Sequence, residues 1–381
     1  MKSSRTFLGL AALAALAALP LSLWAAEPIR LGVAGPFTGS GAMYGVMIRN
    51  AATLALEEAN AAGGIGGRPI EAEYGDDEGK NDKAVTVAKK FATDQRICMV
   101  IGHFNSTCSL AGKPIYRDAE VVQFSPGSTN IHVCEGSDYT FRNLYRDDYQ
   151  GAFMADYIKK TLGLERVAVF FDNDDYGKGL KDAFVARAQA IGLQVVTVQD
   201  YVREKTSDFA PLLDLARNAQ AQAIFISGLY AEAGTIVKQA REKGIRTQFL
   251  GGDGVFGPGF TEIGGEAANG TLITTPFLFG PSSSEAAKSF AKRFKERFGR
   301  EPDTWAALTY DAVTMALDGI RAVGTDRNDL RDWMAGHTSR EKGFKGITGV
   351  TYFDHNGDCL KPVMVAVVEG GRFVPAPKQM E

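Results

Sequence analysis

The sequence predicts an α/β protein built as two doubly wound, Rossmann-like lobes. Three observations predict it. Short apolar runs alternate with helix-period stretches from Ile29 to Phe124. The same rhythm restarts at Asp148 and continues to Leu250. Once a leader is set aside, roughly 355 residues remain, which suits two domains.

The leader comes first in the chain. Lys2 and Arg5 form a basic start, an Ala/Leu-rich run extends from Phe7 to about Trp24, and Ala25-Ala26 precede Glu27-Pro28. This is the pattern of a secretory signal peptide over residues 1–26, with a cut after Ala25 as the alternative. A retained anchor fits less well, because the run is Ala-rich and a strand pattern follows at once. No Cys stands at the cut to carry a lipid.

The first lobe begins with a strand at Ile29–Ala34 and a helix at Gly45–Ala62, which stops at Gly63-Gly64. A strand follows at Ile70–Tyr74, then a helix at Lys83–Thr93 with Val85, Ala88 and Phe91 on one face. Ile97–Ile101 is a continuous apolar run, as in a parallel strand buried on both faces. Leu110–Ala119 reads as a helix and Val121–Phe124 as a strand.

In the second lobe the expected helices are Asp148–Leu162, Gly179–Ile191, Phe209–Asn218 and Ala231–Lys243. The strands between them are Arg166–Phe171, Gln194–Tyr201, Ala223–Ser227 and Thr247–Leu250. The C-terminal part departs from this rhythm, with helices at Glu285–Phe298, Thr304–Val323 and Leu330–Ala335. Apolar runs at Thr351–Phe353 and Val363–Val368 flank Asp354-His355-Asn356-Gly357, a hairpin signal. These elements are expected to complete the first lobe and cross back to the second.

Composition narrows the function. The net charge of −3 is spread along the chain, so no basic nucleic-acid footprint exists. Cys98, Cys108, Cys134 and Cys359 would allow three full disulfide pairings in an exported protein, and the sequence does not choose among them. There is no Cys-x-x-Cys, and the four histidines lack zinc spacing, so no metal or other cofactor is expected. Gly252-x-Gly254-x-x-Gly257 matches a dinucleotide fingerprint by letter, but Pro258-Gly259 follow where a helix is required. Asp172–Gly177 resembles the start of a calcium loop, yet Ala183 stands where the closing Glu belongs. No Gly-x-Ser-x-Gly elbow is present, so an enzyme reading finds no constellation to rest on.

Polar residues gather where open α/β sheets bind ligands, outside the C-terminal strand ends. After Ile101 comes Gly102-His103-Phe104-Asn105-Ser106-Thr107; after Phe124 comes Ser125-Pro126-Gly127-Ser128-Thr129. Helix N-termini there offer backbone N–H groups, and Ser106 and Thr129 add hydroxyl donors, a combination suited to a carboxylate. For either hydroxyl alone, ordinary capping is the better explanation. After Phe171 comes Asp172-Asn173-Asp174-Asp175-Tyr176-Gly177, and after Leu250 comes Gly251-Gly252-Asp253-Gly254. Asp253 would accept an ammonium group, although among glycines it also reads as a turn residue. Tyr44 lies in the loop Phe37–Gly45, placed either to wall a pocket or to pack on its own lobe.

Several segments, taken in order, carry a resemblance. They are Gly35-Pro36-Phe37-Thr38-Gly39 with Tyr44-Gly45, Asn60-Ala61-Ala62-Gly63-Gly64-Ile65, and Tyr74-Gly75-Asp76-Asp77. Val100-Ile101-Gly102-His103, Phe141-Arg142, Asp175-Tyr176-Gly177-Lys178-Gly179 and Thr309-Tyr310-Asp311-Ala312 continue the series. The chain resembles the branched-chain amino acid-binding proteins of bacterial ABC transporters, a type I periplasmic binding family akin to the leucine/isoleucine/valine-binding proteins.

The resemblance implies a site. Ser106 and Thr129 match the hydroxyl pair that holds the ligand's α-carboxylate. Gly127 matches the carbonyl, and Asp253 the acid, that take the α-ammonium. Tyr44, Tyr176 and Trp305 match aromatic cleft positions; Phe104, Ser128 and Tyr230 complete the candidate set. The chain departs from the family where Glu often replaces Asp253, where Leu229 stands at an aromatic position, and where Asn105 replaces a cysteine. The implied lobes are residues 27–145 with 278–361, and 146–277 with 362–381, joined by a three-segment hinge near 142–148, 275–280 and 360–366. The implied protein is a periplasmic monomer that closes on an amino acid, branched-chain or otherwise apolar, and delivers it to a membrane permease. An amide, urea or aromatic-acid ligand, or a sensing role, is the alternative.

Overall fold

The computed structural model describes residues 27–380, so the predicted signal peptide lies outside the described residues. In chain order the elements run β1 (Ile29–Gly35), α1 (Ala42–Ala61), β2 (Ile70–Asp76), α2 (Asn81–Thr93), β3 (Ile97–Ile101), α3 (Ser106–Asp118), β4 (Val122–Ser125) and β5 (Thr140–Arg142). Next come α4 (Asp147–Asp156), β6 (Arg166–Asp172), α5 (Asp175–Ala190), β7 (Gln194–Tyr201), α6 (Ala210–Asn218), β8 (Ala223–Ser227), α7 (Tyr230–Glu242) and β9 (Gln248–Gly251). The chain ends with α8 (Pro258–Gly264), β10 (Leu272–Thr275), α9 (Glu285–Phe298), α10 (Thr304–Val323), α11 (Arg327–Ala335), β11 (Phe344–Gly346), β12 (Gly349–Thr351), β13 (Met364–Glu369) and β14 (Arg372–Pro375).

Two sheets organise these elements. One has five strands in the order β2-β1-β3-β4-β5, all parallel. The other has seven, in the order β14-β13-β10-β9-β8-β6-β7. Its strands β6 to β10 are parallel, and β13 and β14 join its edge antiparallel. Central strands β3 and β8 are buried at every residue, which is why their sequences lack polar alternation. On α1, Tyr44, Met47, Ile48, Ala51, Ala52, Ala55 and Ala59 recur at helical spacing and are buried. They give α1 a continuous apolar stripe, and the helix packs against α10 and α9 from the far end of the chain.

The chain passes between the sheets three times: between β5 and α4, between β10 and α9, and between β12 and β13. A buried ion pair ties the first and third passages together. Arg142 Nε lies 2.7 Å from Asp358 Oδ1, with both side chains at most 1% exposed. Arg142 Nη1 also donates to Ser128 O at 3.0 Å, and Arg146 Nη1 meets Asp358 Oδ2 at 3.2 Å.

Three expectations need correction. The turn at Asp354–Gly357 forms, but the flanking runs do not pair as a hairpin. Phe353 makes only an isolated bridge with Cys359; Thr351 pairs back to Phe344, and β13 pairs with β10 and β14. The two runs belong to different sheets, so the turn begins a passage between sheets instead of a ribbon. Next, Tyr44 and Tyr176 sit in the first turns of α1 and α5, not in loops. The Asp174 side chain caps α5 by accepting from Gly177 N at 2.7 Å, which starts the helix a turn earlier than its apolar pattern. Finally, α3 begins at Ser106, four residues before the expected Leu110, and holds Pro114 in its interior. The four cysteines are buried free thiols.

Candidate functional site

The C-terminal ends of β3, β4, β6, β8 and β9 face one another across the seam between the sheets. A tight cavity lies there, with about 10 Å³ of room, enough for about one water. Phe104, Asn105, Ser106, Gly127 and Trp305 line it from the first sheet's side, and Tyr176, Leu229, Asp253 and Gly254 from the second. Ligand pockets span about 300–1,000 Å³, so admitting even a small metabolite requires the lobes to part.

On the first side, α3 points its N-terminus at the cavity. Its N-cap residue, Asn105, makes no capping hydrogen bond with its side chain, which leaves the helix's first N–H groups without that partner. Ser106 Oγ accepts from Asn130 N at 3.2 Å, so its own proton remains to donate. The site end of this lobe is therefore rich in donors. Gly127 is demanded by space: a Cβ there would stand 2.3 Å from Phe104 Cδ2. Phe104 in turn stacks on Tyr44 at 4.5 Å and meets Trp305 edge-on at 4.9 Å.

On the second side Asp253 is 1% exposed. Its Oδ1 accepts from Tyr176 Oη at 2.8 Å, and Tyr176 Oη accepts from Gly254 N at 3.0 Å. Its Oδ2 is buried and has no hydrogen-bond partner among the described residues. Burial pushes the carboxyl up to about 6, with the Tyr176 hydroxyl opposing that rise. Gly252 is required by close approach, since a Cβ there would lie 2.4 Å from Leu180 Cδ2 and 2.7 Å from Tyr176 Oη.

Of the ten candidates, Phe104, Ser106, Gly127, Tyr176, Asp253 and Trp305 line the cavity. Four do not. Tyr44 backs the wall: its hydroxyl donates to Gly254 O and accepts from Tyr230 N at 3.2 Å. Tyr230 closes the seam instead, donating from Oη to Ser40 O at 2.5 Å. Ser128 turns its hydroxyl into the frame, donating to Phe104 O at 2.9 Å beside Ser109 Oγ at 2.7 Å. Thr129 is buried just behind; its Oγ1 has no partner among the described residues, and its carbonyl accepts from Asp147 N at 2.8 Å.

Sequence reasoning missed two residues behind the wall, Asp147 and Gln150. It placed Asn105 and Gly254 in the polar sets after strands, and Asn105 and Leu229 among the departures from the family, but none among the ten candidates, whereas all three line the cavity. The signal for Gln150 was available. Asp147, Gln150, Gly151 and Met154 recur at helical spacing on one buried face of α4, so two polar residues sit in an apolar stripe.

The lobes touch across the seam. Trp305 Nε1 donates to Phe256 O at 2.8 Å, Asn130 Nδ2 to Asp175 O at 2.7 Å, and Asp175 N to Thr107 Oγ1 at 3.2 Å. Among the described residues no group of His, Cys, Asp and Glu forms a metal-binding cluster. The chemistry of these groups suits an anionic end at α3, a cationic end at Asp253 and an apolar body against Phe104, Leu229 and Trp305.

Comparison with known proteins agrees with this architecture. Residues 28–372 match the family described as "Periplasmic binding protein". The chain is 34% identical to the Leu/Ile/Val-binding protein homolog 1 of Brucella suis over 355 residues, 92% of each chain. Among solved structures it is similar to the branched-chain amino acid transporter substrate-binding protein LivJ of Streptococcus pneumoniae in complex with isoleucine. That match has a TM-score of 0.85 and 29% identity, covering 91% of this chain and 98% of the other. The leucine-binding protein LivK of Thermotoga maritima matches with a TM-score of 0.84 and 32% identity, covering 91% of this chain and 97% of the other.

Proposed function

Because the chain belongs to the periplasmic binding protein family, among the branched-chain amino acid-binding members that serve ABC transporters, we propose that it captures an amino acid by closing its two lobes. The observation that carries this is the polarity of the cavity: hydroxyl and helix-terminal donors stand at one end, and a buried carboxylate with a free oxygen at the other. A zwitterion satisfies both ends at once through charge-assisted hydrogen bonds. Phe104, Leu229 and Trp305 suit an aliphatic side chain. The lobes are residues 27–145 with 278–361, and 146–277 with 362–381. Ligand docks first on Ser106 and Gly127, with Thr129 behind them, and closure then brings Tyr176 and Asp253 onto it. Export by residues 1–26, a monomeric state and delivery to a membrane permease complete the reading.

An uncharged amide is the second reading. It is favoured by the raised Asp253, which holds its proton below about pH 6 and would then donate a hydrogen bond. Both readings are tested on protein that has been unfolded and refolded to strip any bound ligand, then scanned by thermal shift. Aliphatic L-amino acids at saturating concentration are expected to raise Tm by several degrees at pH 8. A rise with isosteric amides and none with amino acids would overturn the zwitterion reading.

A further inference from the structure

Gln150 lies outside the cavity, on α4, fully buried. Its Oε1 accepts from Asp253 N at 2.7 Å and from Thr274 Oγ1 at 2.6 Å. A backbone N–H can only donate, so the oxygen of the amide must face it, and the orientation of Gln150 is fixed. Its Nε2 is thereby turned to Asp147 Oδ1 at 3.2 Å. Asp147 is the first residue of α4, directly after the passage from β5, and its N–H donates to Thr129 O at 2.8 Å. Four residues thus make one hydrogen-bonded chain from Thr129 on one side of the cavity to Asp253 on the other, running behind the cavity through the first passage between the sheets. All four are at most 1% exposed.

We infer that Asp147 and Gln150 are positioning residues that set Asp253 against the ligand's ammonium group and hold that position in register with the carboxylate-binding loop on the opposite lobe. The inference rests on the amino-acid reading above and adds to it residues that touch no ligand. The geometry leaves little slack. Gly252 has room for no side chain between Gln150 and Tyr176: a Cβ there would lie 3.2 Å from Gln150 Oε1. The Asp253 loop is therefore seated on the Gln150 amide itself. The ionisable groups around Asp253 are Tyr176 from α5, Tyr145 from the passage after β5, and Asp147 from α4.

Two substitutions separate positioning from mere packing, each measured by calorimetry with leucine from pH 5 to 9. Gln150→Met keeps the volume and removes the acceptor; it is expected to weaken binding at least tenfold at every pH. Gln150→Glu keeps the acceptor and adds an acid beside Asp147 and Asp253. It is expected to bind more tightly than Gln150→Met at high pH, while the pH at which affinity halves moves upward by at least half a unit. A packing role alone would leave that midpoint in place. Gln150→Met binding within twofold of the native protein, or a Gln150→Glu profile that superimposes on the native one, overturns the inference. If Gln150→Met does not fold, Gln150→Glu decides alone. Native protein that binds no amino acid overturns the underlying reading and this inference with it; native binding with unmoved variants overturns this inference only.

Discussion

At Asp253 a buried carboxylate has one oxygen held by Tyr176 and the other free within the described protein. Truncation should remove the ammonium's partner and leave that charge desolvated in the complex. Asp253→Ala is expected to weaken amino-acid binding by about 3 kcal/mol, roughly a hundredfold in Kd, as judged by calorimetry. The pH dependence follows from the same group. An ammonium ligand needs the ionised form, so affinity should be level above about pH 7 and fall as pH drops through about 6. The ligand-free protein should behave in the opposite sense. Its carboxyl is raised above the ordinary value of 3.8, so the stability tied to this group is fully present below that value and is lost as pH rises through about 6. The gain in Tm on adding ligand should therefore be larger at pH 8 than at pH 5. Equal gains at both would mean that Asp253 does not meet a cation. This residue was legible in the sequence because four polar or glycine residues followed a strand; its free oxygen and its support by Gln150 were not, because both depend on contacts between elements far apart in the chain.

The elements show where legibility stopped. Strands β3, β7 and β8 have the bounds their apolar patterns predicted. The helices that serve the site start three or four residues early: α1 at Ala42 where Gly45 was expected, α3 at Ser106 against Leu110, α5 at Asp175 against Gly179. The cause is shared. Their first turns face the seam between the lobes, so polar and glycine residues stand where a core-facing turn would be apolar, and the hydrophobic period begins one turn late. The loop after β4 gives an element-scale prediction. Gly127→Ala puts a methyl group 2.3 Å from Phe104 Cδ2. The ring must move against Tyr44 and Trp305, which costs about 1–3 kcal/mol. Binding is expected to weaken about tenfold or more, with far-UV circular dichroism unchanged; native affinity would mean the loop yields freely.

For the whole molecule, the buried pair Arg142–Asp358 joins two of the three passages between the sheets. Asp358→Asn would leave the Arg142 guanidinium buried without its counter-charge, a loss of roughly 3–5 kcal/mol. The expected result is a Tm lower by roughly 4–7 °C in a thermal scan. A fall of under two degrees would show that Arg146 and solvent compensate. The two-sheet plan itself was visible from the restarted strand–helix rhythm. The return of the C-terminal helices to the first sheet was expected; the missing hairpin at Asp354–Gly357 was not, because local turn chemistry cannot report that its two flanks belong to different sheets.

That return has a consequence for the order in which the protein takes shape. The apolar face of α1 is covered by α9 and α10, whose residues begin only at Glu285, and β3 also meets α10 and α11. A chain emerging from the ribosome therefore makes its first five strands long before the helices that cover them. The second lobe, by contrast, has nearly all its strands and helices in one run from Asp147 to Thr275. The first lobe to be synthesised thus waits through the whole of that run for its cover, and a chain cut short before Thr304 holds α1 without α10.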